Sequence, residues 1–145
     1  MLRNILVSVG LSFALVGCAS VQMGDPAKNA ELKNFTPKAD VASVYIYRNE
    51  NMGGAVPMEV AVDGKPLGTT GAKTYLYTEV TPGTHVITSK AENTSELSID
   101  TSAGKVYYVW EEVKMGIMYA RNKLSLVDET TGQSGVKESN LAATK

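Results

Sequence analysis

The sequence is short of the residues that most often carry chemistry: its 145 residues include one cysteine, Cys18, and one histidine, His85. Zinc sites need clusters of cysteine or histidine ligands, and most nucleophilic sites need an imidazole beside the nucleophile. One residue of each kind makes no such cluster, so we expect no metal ion and no bound cofactor. A disulfide within the chain is excluded as well, and an apolar core alone must hold the fold.

The chain also lacks an excess of charge of either sign. Its formal net charge is -1 at pH 7, from 14 basic and 15 acidic residues. Proteins that bind nucleic acid neutralise its phosphates with a basic surface. We therefore expect no nucleic-acid partner and no attraction to anionic lipid through bulk charge.

Familiar catalytic motifs are missing too. Gly132-Gln133-Ser134-Gly135 does not fit the Gly-x-Ser-x-Gly elbow of hydrolases, and Gly104-Lys105-Val106 lacks the earlier glycine and the hydroxyl of a phosphate-binding loop. Glu111 and Glu112 are neighbours on a predicted strand and point to opposite faces, so they make no acid/base pair. We expect both to be solvated or paired at the surface. The sequence predicts a protein that is not an enzyme, with an enzyme that uses His85 as the alternative.

The first residues are typical of a secretory signal peptide. Arg3 gives a short positive start, Ile5 to Val16 is almost wholly apolar, and Gly17 is small. A permanent transmembrane helix needs about 20 apolar residues, and this run is too short. Residues 1–17 are therefore interpreted as a signal peptide that is removed.

Leu15-Val16-Gly17-Cys18 resembles the lipobox of bacterial lipoproteins. The resemblance implies that the Cys18 thiol carries a diacylglyceryl group and that cleavage occurs just before it. Several acyl chains anchor a protein to a membrane almost permanently. Ala19 stands where an aspartate would imply the inner membrane, so the resemblance implies an outer-membrane protein that faces the periplasm. The alternative is an ordinary signal peptide with an incidental cysteine.

Residues 18–40 are interpreted as a lipidated tether between the anchor and the folded part. Asp25 followed by Pro26 fits a helix N-cap and first helical position. A short helix here would place Leu32 and Phe35 on the domain. A disordered linker is the alternative.

From Val41 onward the apolar pattern has a period of two, and β-branched and aromatic residues fill short runs. Turn residues such as Asp63-Gly64 and Pro82-Gly83 separate these runs. We predict a mainly β domain over residues 41–128, an antiparallel β-sandwich of about seven strands. The predicted strands are Val41 to Arg48, Val56 to Val62, Thr74 to Val80, His85 to Lys90, Glu96 to Thr101, Val106 to Lys114 and Leu124 to Val127.

Residues 129–145 are predicted to form a C-terminal tail or a short helix. Thr130 and Gln133 have the spacing of a weak capping box. Gly132 and Gly135 disfavour a helix.

Alternation gives several predicted strands one aliphatic face and one tyrosine-rich face. The tyrosines are Tyr45, Tyr47, Tyr75 and Tyr77. Such a row can pack against cross-strand neighbours, or it can present a stacking platform to a sugar ring or a partner. Both interpretations stay open, and all four are candidate binding residues.

The segment from Met115 to Arg121 places large apolar side chains where a hairpin turn would be polar. Exposed apolar loops often mark contact surfaces, at which methionine, aromatic residues and arginine are enriched. The candidate binding patch comprises Trp110, Met115, Met118, Tyr119 and Arg121. Alternatively, Ile117 and Tyr119 continue a strand and are buried.

Two longer segments, VYIYRNENMGGAVPMEVAVDGKPLGTTGAKTYLYTEVTPGTHVITSKAEN and YYVWEEVKMG, resemble an uncharacterised family of bacterial membrane lipoproteins. Val62-Asp63-Gly64 followed by Pro82-Gly83-Thr84-His85 is similar to the PEGA module, a small β-sandwich of cell-surface proteins. The resemblance covers roughly Val41 to Val127 and implies an interaction or spacer element. The long strand from Val106 to Lys114 has no counterpart in a minimal PEGA unit.

Three functions stay open on these grounds. The favoured one is a non-catalytic interaction or structural module that is anchored at the outer membrane by lipid and contacts another envelope protein. The second is a lipoprotein that binds carbohydrate, such as peptidoglycan, through the tyrosine face and Trp110. The third is an enzyme that uses His85.

Overall fold

The structure, a computed structural model, describes residues 21–51 and 56–145, so Cys18 lies outside the described residues. In chain order its elements are α1 (Pro26–Leu32), β1 (Ala42–Arg48), β2 (Met58–Val62), β3 (Lys65–Thr70), β4 (Thr74–Val80), β5 (Gly83–Lys90), β6 (Thr94–Thr101), β7 (Val106–Met115), β8 (Ala120–Val127), α2 (Glu129–Lys137) and β9 (Asn140–Leu141).

The strands form two sheets that pack face to face. One sheet has the order β8-β7-β1-β4-β9, and the other has the order β3-β2-β5-β6. The prediction of a mainly β sandwich with two short helices is therefore confirmed. Two pairs, β1 with β7 and β4 with β9, are parallel. Short turns between consecutive strands predict antiparallel pairing. The two parallel pairs join strands that are far apart in the chain, where no short turn fixes the strand direction.

The main core lies between the sheets. It contains Val44, Ile46, Leu76, Val109 and Leu124 from the five-stranded sheet and Val60, Ile87 and Ile99 from the other. Burying one such side chain contributes about 1.5–3 kcal/mol. This layer is the aliphatic face that the alternation predicts.

A second core covers the outer face of the five-stranded sheet. Its buried members are Leu32, Phe35, Tyr45, Tyr47, Tyr75, Tyr108, Val136 and Leu141. The two helices and the segment that follows α1 supply the covering side chains. As a result, the central strand β1 is buried on both faces along its whole length.

Helix α1 begins where the sequence predicts. The Asp25 carboxylate accepts the backbone N–H of Ala27 at 2.6 Å, and Pro26 occupies the first helical position. After the helix, Phe35 has a positive φ of 54° and packs its ring on Tyr45, with ring centroids 5.4 Å apart. Leu32 and Phe35 are thus buried against the domain, whereas residues 36–40 of the predicted tether are exposed.

Helix α2 is present despite its glycines. Its N-cap is Asp128, whose carboxylate accepts the N–H of Thr131 at 2.7 Å, so the predicted cap at Thr130 is wrong by two positions. A Cβ on Gly132 would lie 2.2 Å from the Tyr108 ring, and one on Gly135 would lie 2.1 Å from Tyr47. The glycines allow the helix to lie directly on the tyrosines.

Two strands are additional to the prediction, and the largest extension of a predicted strand is in β8. β3 contains Pro66, which an edge strand tolerates. β9 has only two residues and pairs with β4. β8 starts at Ala120, four residues before the predicted start at Leu124.

Within residues 21–51 and 56–145, no helix has the length and apolar character needed to cross a membrane.

Candidate functional site

The turn between β7 and β8 carries the largest exposed apolar side chains of the described residues. Met115, Ile117, Met118 and Tyr119 are 79%, 88%, 82% and 56% exposed. We call Met115 to Tyr119 the apolar tip. Ile117 and Tyr119 do not continue a strand into the core, so the exposed interpretation of this segment holds.

The backbone of the apolar tip is held by one carboxylate from the β5–β6 turn. Glu92 accepts the N–H of Ile117 at 2.9 Å, that of Met118 at 3.2 Å and that of Tyr119 at 3.1 Å. Its own N–H donates to the carbonyl of Ala120 at 3.1 Å. The three bonds from the apolar tip hold the pKa of the Glu92 carboxyl below its ordinary value, and the bond from Tyr119 has the largest effect.

Gly116 is required for this arrangement. A Cβ at this position would lie 2.0 Å from Oε2 of Glu92. The carboxylate therefore occupies the inner side of the turn, and the apolar side chains project away from it. The backbone of the apolar tip is therefore held in place, with the N–H groups of Ile117, Met118 and Tyr119 already paired.

Two cations stand at the base of the apolar tip. Lys114 and Arg121 are exposed and directly opposite each other in the β7–β8 ladder. Lys114 pairs with Glu112 at 2.8 Å, and the charge of Arg121 helps to lower the pKa of Glu92. Each of the two cations therefore has a carboxylate near it.

The structure divides the predicted binding patch. Met115, Met118, Tyr119 and Arg121 lie together at the hairpin. Trp110 lies five residues before Met115, about 17 Å along β7. It is half-buried and lines an open groove of about 420 Å³ beside α2. The polar neighbours in that groove include Asn49, Thr130 and Ser134.

The tyrosine face is a core and not a stacking platform. Tyr45, Tyr47 and Tyr75 are at most 2% exposed, and Tyr77 is half-buried. Burial raises the pKa of Tyr47 and of Tyr75 to about 12. The Tyr45 hydroxyl donates to the carbonyl of Leu32 at 2.7 Å. The prediction that these tyrosines bind a ligand is therefore corrected for the three buried ones, because the helices cover them.

The single histidine joins two turns. Nδ1 of His85 lies 2.6 Å from Oδ2 of Asp63, and Nε2 lies 2.6 Å from the carbonyl of Thr81. Both partners accept hydrogen bonds, so the arrangement favours the protonated ring. The pKa of His85 is therefore raised, mainly by the hydrogen bond to Asp63 and then by the one to Thr81. Asp63 also accepts the N–H of Val86 at 2.9 Å. The ring thus links the β2–β3 turn to β5.

A buried polar cluster escaped the sequence analysis. Glu111 is fully buried between the sheets and accepts hydrogen bonds from the hydroxyls of Thr70 and Ser89, the latter at 2.6 Å. Burial raises the pKa of Glu111, against the charge of Arg48, which is buried as well. The expected surface role of Glu111 is therefore wrong. Its alternation with the core residues Val109 and Val113 could have revealed it.

In the described part of the chain, no group of three histidine, cysteine, aspartate or glutamate side chains could hold a metal ion.

The fold and the hairpin define a small β-sandwich module with a helical cover on one face and a projecting apolar tip. The chain belongs to the family described as "Protein of unknown function (DUF2846)", whose match covers residues 38–122, more than half of the chain. The match includes Glu92 and the apolar tip and leaves out both helices and β9.

The chain is also similar to an "Uncharacterized protein" of Haemophilus influenzae (strain ATCC 51907 / DSM 11121 / KW20 / Rd). The two are 28% identical over 136 residues, which cover 92% of this chain and 81% of the relative. No solved structure matches the chain.

Proposed function

We propose that the protein is a non-catalytic module of the bacterial cell envelope, anchored by lipid on Cys18 at the periplasmic face of the outer membrane. It makes its contacts there through the apolar tip. The lipobox-like sequence before Cys18 supports the anchor, and the hairpin supports the contact surface.

One observation carries this proposal: the apolar tip is exposed and yet structurally fixed. Binding costs conformational entropy when a loop must order itself, and a loop that is already ordered avoids that cost. The hydrogen bonds from Ile117, Met118 and Tyr119 to Glu92 provide this order. Methionine and tyrosine are also adaptable and large enough to act as anchors in a contact.

The surroundings of the titratable residues support a non-catalytic role. Both ring nitrogens of His85 are occupied, so this imidazole has no nitrogen directed at a substrate. Glu111 lies in the inter-sheet core, away from any substrate.

The test is site-specific photo-crosslinking in cells with the full-length chain. A photoreactive residue at Ile117 is expected to give crosslinks, and one at Ala103, in the exposed β6–β7 turn at the opposite end, is expected to give none. Labelled palmitate should enter the protein and should fail to enter the Cys18→Ser variant. Equal crosslinking at both positions, or no palmitate in the parent, contradicts the proposal.

A second candidate, binding to cell-wall carbohydrate, has one observation in its favour. The Trp110 indole lines a groove with amide and hydroxyl groups, a combination suited to a sugar ring. In sedimentation with purified peptidoglycan, Trp110→Ala would then lose binding while Tyr119→Ala keeps it. Equal sedimentation of the two variants contradicts this candidate.

A further inference from the structure

We infer that the partner of the apolar tip is the lipid bilayer itself: the tip inserts into the interfacial layer of the leaflet that holds the Cys18 lipid. The inference rests on the proposed function, because it takes Cys18 as the anchor. It goes further, because it names the partner and orients the folded body on the membrane.

The first argument is that Val21, the described residue nearest to Cys18 in the chain, lies at the same end of the sandwich as the apolar tip. β1 and β7 are parallel, with Tyr47 beside Trp110, so the chain leaves both strands at the same end. β4 starts at this end, where Thr74 pairs with Arg48. The β3–β4 turn therefore lies there too.

The first described residue, Val21, packs against this turn. If Gly71 carried a Cβ atom, that atom would lie 3.4 Å from the side-chain methyl carbons of Val21. Gly71 belongs to the turn, where its N–H donates to the Thr74 hydroxyl at 2.9 Å. Three residue steps separate Val21 from Cys18, and they span at most about 10 Å. Cys18 is therefore within about 10 Å of Val21, which contacts the turn at this end.

The second argument is the height of the apolar tip. Since Tyr47 pairs with Trp110, Arg48 lies beside Glu111, and β7 continues for four more residues to Met115. The hairpin thus projects about 13 Å beyond the end of β1. That projection is close to the reach of the three residue steps before Val21, so the anchor and the apolar tip can meet one membrane plane.

The third argument is the order of side chains along the hairpin. The apolar tip comes first, and the opposed cations Lys114 and Arg121 come directly behind it. In a bilayer interface this order places apolar groups among the upper acyl chains, tyrosine at the interface and cations among the phosphates. Anionic lipid headgroups attract cations at this level of the bilayer.

The fourth argument concerns the backbone. An N–H group that leaves water for the acyl-chain region without a hydrogen-bond partner is unfavourable. Glu92 already accepts the N–H groups of Ile117, Met118 and Tyr119. The loop can therefore leave water without exposing those groups. A protein partner would need the same pairing, but it would not need the first described residue of the anchored segment to lie at the same end as the apolar tip.

The test uses the full-length acylated protein in vesicles of phosphatidylethanolamine and phosphatidylglycerol that carry brominated acyl chains, which quench tryptophan. In a Trp110→Phe background, Met118→Trp is expected to lose most of its emission and to shift to shorter wavelength. Ala103→Trp, in the same background, is expected to keep the emission of the matched non-brominated vesicles. Circular dichroism verifies that both variants are folded.

The result that overturns the inference is a folded Met118→Trp protein that floats with the vesicles but is quenched no more than Ala103→Trp. Flotation shows that the anchor holds, so this failure leaves the proposed function intact. A parent protein that neither takes up palmitate nor floats contradicts both. In cells, lipid adducts from a photoreactive residue at Ile117 support the inference, and adducts to one protein species overturn it in favour of a protein partner.

Discussion

Glu92 accepts the backbone N–H of Tyr119 at 3.1 Å, across the gap between the β5–β6 turn and the β7–β8 turn. A single carboxylate thereby fixes the loop that displays the largest exposed apolar side chains of the described chain. This hydrogen bond connects the β5–β6 hairpin of the four-stranded sheet to the β7–β8 hairpin of the five-stranded sheet. The exposed tip is therefore coupled to both halves of the sandwich.

Replacing Glu92 by glutamine should release the apolar tip without unfolding the domain. The amide has one oxygen in place of two and no charge, so it satisfies fewer of the N–H groups. We expect the amide protons of Ile117, Met118 and Tyr119 to lose their protection in hydrogen exchange. Glu96→Gln, an exposed change on β6, is the matched control and should leave their protection unchanged.

The same bonds have a dependence on pH. Because the folded-state pKa of Glu92 is lower than its ordinary value of 4.5, the stabilisation is present above 4.5 and is lost as the pH falls through the lower folded value. Protection factors at these amides, corrected for intrinsic exchange, should fall in that acidic range in the parent and not in Glu92→Gln. If the variant and the parent have equal protection at neutral pH, Glu92 does not hold the loop.

Gly135→Ala should destabilise the protein even though alanine favours helices. The added methyl group would lie 2.1 Å from the Tyr47 ring, so α2 must shift away from the sheet. We expect a loss of about 1–3 kcal/mol in the free energy of unfolding. Urea denaturation followed by circular dichroism measures it.

Ser134→Ala is the control for that change, since Ser134 is exposed on the same helix. Its effect should stay within about 0.5 kcal/mol. If the two variants are equally stable, α2 does not depend on the close approach of Gly135 to Tyr47.

These glycines also illustrate where the sequence could and could not predict the fold. Alternation in β1 predicts a strand, and Asp25-Pro26 predicts the start of α1, because both signals are local. Gly132 and Gly135 argue against a helix by propensity, whereas the structure needs them for contact with tyrosines distant in the chain. Propensity alone contains no information about such contacts.

The candidate site shows the same division. The composition of the Met115 to Arg121 segment predicts a contact surface, but it cannot decide whether Ile117 is buried. That decision depends on Glu92, 25 residues away in the chain. Residue type places Trp110 in the candidate patch, because tryptophan is enriched at contact surfaces, but five residues of extended strand separate it from Met115.

Glu111→Ala should be among the most damaging substitutions in the described core. It removes the acceptor of two buried hydroxyls, those of Thr70 and Ser89, and the negative charge that favours the buried Arg48. We expect the free energy of unfolding to fall by about 3–5 kcal/mol. Glu111→Gln keeps the shape of the side chain and one acceptor oxygen, so its free energy of unfolding should fall less. This variant provides a measurement if the alanine variant fails to fold.

Glu112→Ala is the matched control for Glu111. Glu112 points to the opposite face and forms a partly exposed ion pair with Lys114. Its removal should cost no more than about 1 kcal/mol. Equal losses at the two positions, measured by urea denaturation, would contradict the inter-sheet role of Glu111.

His85 should make stability depend on pH near neutrality. Asp63 and the Thr81 carbonyl raise the folded-state pKa of His85 above the ordinary value of 6.5. The ring therefore holds its proton more tightly in the folded protein than in the unfolded chain. The stabilisation is fully present below 6.5 and is lost as the pH rises through the folded-state value. Because His85 is the only histidine, a fall of the urea midpoint over this range is assigned to it.

Two variants separate this effect from other titrations. His85→Gln should show no fall of the urea midpoint over the same range, since its amide does not titrate. Asp63→Asn should move the pKa of His85, followed by NMR of the ring protons, back toward 6.5, because it removes the carboxylate that favours the charged ring. If His85 in the parent titrates at 6.5 or below, the ring does not link the β2–β3 turn to β5 in the charged form. The β2–β3 turn would then be held to β5 by the two hydrogen bonds between Asp63 and Val86.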